Sequence, residues 1–152
     1  MTLLFFGFHI GAIGIPLFLP AHNMTLQNNL GFSFASMNQT VADIISWGVI
    51  FSAALLLIRR IVLPEVRILT TAYDYLILFL SAAPFITGII CRYELGAYSF
   101  WLLLHIICGE ILLISIPFTK LSHIFLFFLS RAQLGMDFGI KRGGMKGKGM
   151  AW

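Results

Sequence analysis

Four apolar runs dominate this chain: Thr2–Pro20, Val41–Ile61, Ala72–Cys91 and Phe100–Ser130. Each is about as long as, or longer than, the ~20 residues a helix needs to cross ~30 Å of hydrocarbon. The first precedes every charge in the protein, because no Asp, Glu, Lys or Arg occurs before Asp43. It has neither a basic leader nor a small-x-small cleavage site, so it reads as a span rather than a signal peptide. Only 11% of the residues are charged and 59% are hydrophobic, against roughly 25% charged in soluble domains. The expected fold is all-α, an integral membrane helical bundle of about four transmembrane helices. Residues 2–130 form the membrane domain and 131–152 a basic, Gly-rich tail, placed along the membrane surface or on a partner.

Charge placement orients the bundle. With four spans, one side holds Arg59, Arg60, Arg67, Arg131, Lys141, Arg142, Lys146 and Lys148, whereas the other holds only Arg92. This asymmetry puts both termini in the cytoplasm of a prokaryotic inner membrane, with the loops His22–Thr40 and Arg92–Ser99 facing outward. Positive charge confined to span ends and tail also argues against nucleic acid as a partner. Arg59 and Arg60 could approach a propionate or an anionic partner, but paired arginines at a cytoplasmic span end read as ordinary topology anchors. Thr40 and Asp43 have capping-box spacing and mark the expected start of the second span. Pro84 and Pro117 interrupt the third and fourth runs, where kinks rather than helix ends are expected. Asn23-Met24-Thr25 and Asn38-Gln39-Thr40 match glycosylation triplets but receive no role. Cys91 and Cys108 lie in apolar segments in no CxxC pattern, which argues for packing rather than a cluster or disulfide.

The histidines carry the chemistry. His9, His22, His105 and His123 all lie in or at the rim of an apolar run, where ionisable side chains are expensive and usually functional. His105 and His123 are 18 residues apart, five turns of one helix and roughly 27 Å of axial rise. Under the topology above, depth pairs His9 with His123 and His22 with His105. Two histidines at matched depth on facing helices supply both axial nitrogens of a b-type haem, and two such pairs make a transmembrane electron wire. The 13 residues from His9 to His22 make about 3.6 turns, which on a straight helix turns the two side chains almost oppositely. Pro16 and Pro20 between them offer a way to change that register.

Other readings compete with ligation. A lone intramembrane histidine often just hydrogen-bonds a neighbouring helix. Metal transport commonly adds carboxylates to the histidines, and only Glu110 lies within a span's interior; neither an inverted repeat nor a pair of broken helices around a midplane site is present in the sequence. Glu110 is a candidate proton relay, and Lys120 a candidate partner for a haem propionate or a snorkelling lysine. Gly7, Gly11 and Gly14 fall at helical spacing and suit the close approach of a helix or a flat macrocycle.

Phe8-His9-Ile10-Gly11, Arg59-Arg60 before Pro64-Glu65-Val66-Arg67, Thr70-Thr71 with Asp74, and Leu104-His105 through Pro117-Phe118-Thr119-Lys120-Leu121-Ser122-His123 occur in that order. Together, over about residues 5–126, they resemble the gamma subunit of respiratory nitrate reductase. The resemblance implies a membrane cytochrome b with two haem b groups held by four histidines, exchanging electrons between menaquinone and cytoplasmic iron–sulfur or flavoprotein subunits. His9, His105 and His123 fall at that family's ligand positions. Its fourth position falls on Leu19, so His22 implies a shifted register. The family also has a span ahead of the first one here, which suggests a fragment, a split product, or a subunit completed by another chain. The stretch Ser130–Asp137 with Lys141-Arg142-Gly143-Gly144 is similar to the membrane subunit of the quinone-interacting membrane-bound oxidoreductase complex of sulfate reducers, linked to adenylylsulfate reductase. The alternative is a non-redox membrane anchor recruiting soluble subunits through its basic tail.

Overall fold

The computed structural model describes residues 2–136, in two compact units, a first running to Leu112 and a second beginning at Leu113. Lys141, Arg142, Lys146 and Lys148, and with them most of the expected tail, lie outside the described residues. Every described element is helical: α1 (Thr2–Phe18), α2 (Pro20–Leu30), α3 (Gln39–Val62), α4 (Pro64–Ile68), α5 (Ala72–Arg92), α6 (Tyr98–Phe118), a 3-10 turn (Lys120–Ser122) and α7 (His123–Gly135). Helices α3, α5 and α6 are each long and apolar enough to cross a membrane, and α1 with α2 makes a fourth candidate as one span bent by 46°. The protein is thus an all-α membrane bundle with three to four spans.

In the first unit α3 is the central helix, packed by α1 on one side and α5 on the other. Its buried positions Ala42, Val49, Ala53 and Leu56 recur at helical spacing and meet Phe8 and Ile15 of α1 and Ala82 and Phe85 of α5. Small residues dominate this seam, as expected where lipid competes equally for apolar surface and association depends on close packing. Of the three glycines on α1, Gly11 makes the close approach: a Cβ there would overlap Val49 Cγ2 and press on Ile45, while one on Gly14 would meet nothing within 4 Å. Residues 98–112 of α6 include no buried side chain, an apolar surface of the kind lipid covers.

Local chemistry moves three boundaries from their expected places. The first run does not end in a loop at His22. Leu19 is extended, Pro20 starts α2 at its first position, and helix continues to Leu30, where Gly31 closes it with φ 77°. Proline at a helix start fits because its missing N–H is unneeded there. The cap of α3 is Asn38, not Thr40: Asn38 Oδ1 accepts the Thr40 N–H at 2.8 Å. Asp43 instead accepts from Gln39 Nε2 at 3.0 Å and pairs with Arg92 Nε at 3.3 Å, tying the start of α3 to the end of α5. The capping box belongs to α5, where Asp74 accepts from both the Thr71 N–H and its hydroxyl at 2.9 Å. The helix runs through Pro84 as expected, but Pro117 sits one residue before the end of α6.

The second unit, taken by itself, contains that end. Thr119 is extended and its Oγ1 accepts the Leu121 N–H at 3.2 Å, which starts a 3-10 turn and then α7. The five-turn spacing of His105 and His123 requires one unbroken helix, and that helix stops at Phe118. Arg131 lies over the Phe127 ring, 5.5 Å from its centroid.

The seam is testable at Gly11. Gly11→Ala should lower stability by about 1–3 kcal/mol through overpacking, seen as a lower melting temperature by circular dichroism in detergent. Gly14→Ala, with open space around it, should leave the transition unchanged or raise it.

Candidate functional site

Each of the four histidines has Nδ1 within hydrogen-bond distance of a backbone carbonyl. The partners are Phe5 O for His9 at 2.6 Å, Pro16 O for His22 at 3.2 Å, Pro84 O for His105 at 2.9 Å and Lys120 O for His123 at 2.7 Å. A carbonyl only accepts, so Nδ1 carries the proton in every case and the lone pair of a neutral ring lies on Nε2. This is the arrangement that outer partners impose on metal-bound imidazoles.

The Pro16 carbonyl has a specific reason to be free. In a continuous helix it would accept from the residue four positions on, which is Pro20 and has no N–H. The bend that proline imposes brings His22 round to take the orphaned oxygen, six residues along the chain. Asn23 then fixes α2 in place. It is 3% exposed; its Oδ1 accepts the Phe34 N–H at 3.1 Å and its Nδ2 donates to Ser36 Oγ at 3.1 Å and Ala35 O at 3.5 Å. The return loop also donates Met37 N–H to Phe18 O at 2.9 Å. Asn23 and Asn38, the asparagines of the two glycosylation triplets, are thus a loop clamp and a helix cap.

His105 is seated from α5. Its Nδ1 reaches both Pro84 O and Thr87 Oγ1, the latter at 3.2 Å, while the Thr87 hydroxyl donates to Ala83 O at 2.8 Å. Gly88 makes the seat possible, because a Cβ there would come within 3.1 Å of His105 Cε1.

These two placements converge. The rings of His22 and His105 lie 6.0 Å apart, centroid to centroid, with planes only 16° from parallel. Neither Nε2 makes a hydrogen bond among the described residues, both Nδ1 atoms being the ones engaged. Two imidazoles that share one ion at metal–nitrogen distances of about 2 Å have ring centres about 6 Å apart; His22 and His105 have that separation, with the rings stacked face to face. Among the described residues no cluster of three or more His, Cys, Asp or Glu could hold a metal, which disfavours a carboxylate-rich site and leaves a two-histidine one intact.

The other expected site residues fall elsewhere. His9 is exposed on α1, edge-on to Phe8 at 5.7 Å. His123 opens α7 in the second unit, where the Lys120 backbone carbonyl accepts from its Nδ1 at 2.7 Å. Glu110 is exposed on α6 and takes no part in the histidine pair. Cys91 and Cys108 are free thiols, both half-buried. Sequence reasoning passed over Asn23, Thr87 and Gly88. The signal was present in Pro84-x-x-Thr87-Gly88, since a proline within a span is the place to look for backbone groups claimed by side chains.

Asn23→Ala should remove the loop clamp and leave the Phe34 N–H unsatisfied, at a cost of about 1–3 kcal/mol. A lower melting temperature together with faster hydrogen exchange at residues 32–37 checks this.

Comparison with known proteins finds a close relative. A protein of Nitratidesulfovibrio vulgaris strain Hildenborough, named simply "Protein", is 54% identical over 152 residues, spanning 99% of this chain and 67% of its own length. No protein-family model matches the chain, and no solved structure matches it.

Proposed function

We propose, for a chain that belongs to one family with this Nitratidesulfovibrio vulgaris protein, that it is a cytochrome b-type membrane subunit carrying electrons between menaquinone and a redox partner at the cytoplasmic face. The observation that carries the reading is the pair of near-parallel imidazoles of His22 and His105, 6.0 Å apart, each with its proton held on Nδ1. Resemblance to the nitrate reductase gamma subunit and to the membrane subunit of the quinone-interacting complex supports the same reading. A haem b bound between two histidines supplies reversible one-electron transfer within the apolar slab.

This chain's own residues have defined tasks in that scheme. His22 and His105 would hold the haem iron through Nε2, the nitrogen that the Nδ1 hydrogen bonds leave with its lone pair. Pro84 O and Pro16 O accept the Nδ1 protons, which orients the rings and raises the basicity of the ligating nitrogens. Gly88 keeps the α5 backbone clear of the His105 ring, and Asn23 holds α2 where His22 faces it. The apolar walls of the bundle exclude water, one of the protein's levers on haem potential. His9 and His123 would each offer a further histidine nitrogen to haem, and Glu110 would relay a proton released when quinol is oxidised. The uneven distribution of Lys and Arg orients the subunit in a prokaryotic inner membrane with both termini in the cytoplasm, where iron–sulfur or flavoprotein subunits dock.

Reduced-minus-oxidised spectra with a pyridine haemochrome assay on the purified chain, expressed with haem supply and any partner subunits, should give two haems b per chain. His22→Ala and His105→Ala should each lose the same haem, and His9→Ala and His123→Ala the other. A colourless preparation that retains its helicity would sink this reading and leave a non-redox anchor. Gly88→Val, which pushes a branched side chain into the His105 ring, should lose or shift the spectrum of the His22/His105 haem alone.

A further inference from the structure

The opposite end of the first unit from the His22/His105 pair holds a cleft of about 430 Å³, formed where α3 ends, α4 turns and α5 begins. Phe5 and Leu56 make an apolar wall, and the side chains of Arg59 and Arg60 line its polar mouth. The end of α3 is held to α5 by the Tyr75 hydroxyl, which donates to Arg60 O at 3.3 Å.

Among the described residues neither guanidinium group takes part in a hydrogen bond or an ion pair. Arg59 Nε is buried without a hydrogen-bond partner among the described residues. Glu65 and Asp74 share the lining, yet the ion pair between Arg92 and Asp43 is formed elsewhere and neither Arg59 nor Arg60 makes one among the described residues. Asp74 is engaged instead in capping α5 through Thr71, and Glu65 lies in the first turn of α4, where the helix dipole favours it. A buried guanidinium N–H left unpaired costs several times what an exposed one does, and a charged acceptor is what relieves it.

We propose that this cleft binds the phosphodiester headgroup of an anionic phospholipid, with Arg59 and Arg60 on the phosphate and an acyl chain along Phe5 and Leu56. Position argues for a lipid source. The cleft lies at the ends of two candidate spans, where membrane-crossing helices reach the headgroups, and it joins charged side chains to an apolar wall as an amphiphile requires. Arginine suits phosphate because its planar fork donates two parallel hydrogen bonds. The site is separate from the histidine pair, and the proposal stands whether or not the chain carries haem.

Native mass spectrometry of the delipidated full chain, titrated with phosphatidylglycerol, phosphatidylcholine or inorganic phosphate, tests it. Phosphatidylglycerol should be retained in preference to phosphatidylcholine, with affinity falling roughly fivefold for each arginine lost in Arg59→Gln and Arg60→Gln. Arg67→Gln, outside the cleft, should behave as wild type. If Arg59→Gln fails to fold by circular dichroism, Arg60→Gln and the wild-type preference between the two lipids decide the matter. Equal retention of both lipids, or a preference untouched by either substitution, overturns the proposal. So does displacement of phosphatidylglycerol by millimolar inorganic phosphate, which would make the free ion the ligand.

Discussion

Inside a bilayer a carbonyl that loses its helical donor cannot turn to water, and much of this protein follows from how such carbonyls are satisfied. Pro20 deprives Pro16 O of its donor, and His22 supplies one. On α5 the Pro84 carbonyl, whose partner four residues on, Gly88, keeps its N–H, accepts in addition from Thr87 Oγ1 and His105 Nδ1. A structural need, satisfying backbone oxygens in an apolar medium, thus coincides with a chemical one, holding an imidazole with its proton on one nitrogen and its lone pair on the other.

The helix break at Leu19 shows why counting turns along a straight helix misplaces His22. Counting from His9 assumes a constant axis, and with that assumption the two histidines point almost oppositely. A 46° bend with a fresh helix start at Pro20 resets both direction and register. The pair that regular spacing makes least natural is therefore the pair whose rings come together. The converse holds for His105 and His123: their regular five-turn interval depended on a helix that Thr119 interrupts with an extended residue and a new cap.

Packing around the pair is asymmetric in a way that suits a membrane protein. Helix α3 is enclosed by α1 and α5 through small residues, with Val49 wholly buried (0% exposed) against Gly11. Helix α6, which carries His105, touches α5 through that imidazole but buries none of its residues from 98 to 112. A side chain held by two hydrogen bonds and seated on a glycine thus does the positioning that a packed interface does elsewhere in the bundle.

By itself the sequence determined the spans, the all-helical class and the four histidines worth watching, because hydropathy is a local sum and a histidine in an apolar run stands out without any partner in view. It also held the prolines and glycines that shape the site, though not their use. Tertiary structure alone decided that Asn38 rather than Thr40 caps α3, that Gly11 rather than Gly14 receives a neighbouring helix, and that His22 meets His105. Each of those outcomes depends on which atoms approach from a distant part of the chain, and the vectors of side chains across a bent span are set by packing rather than by spacing along the sequence.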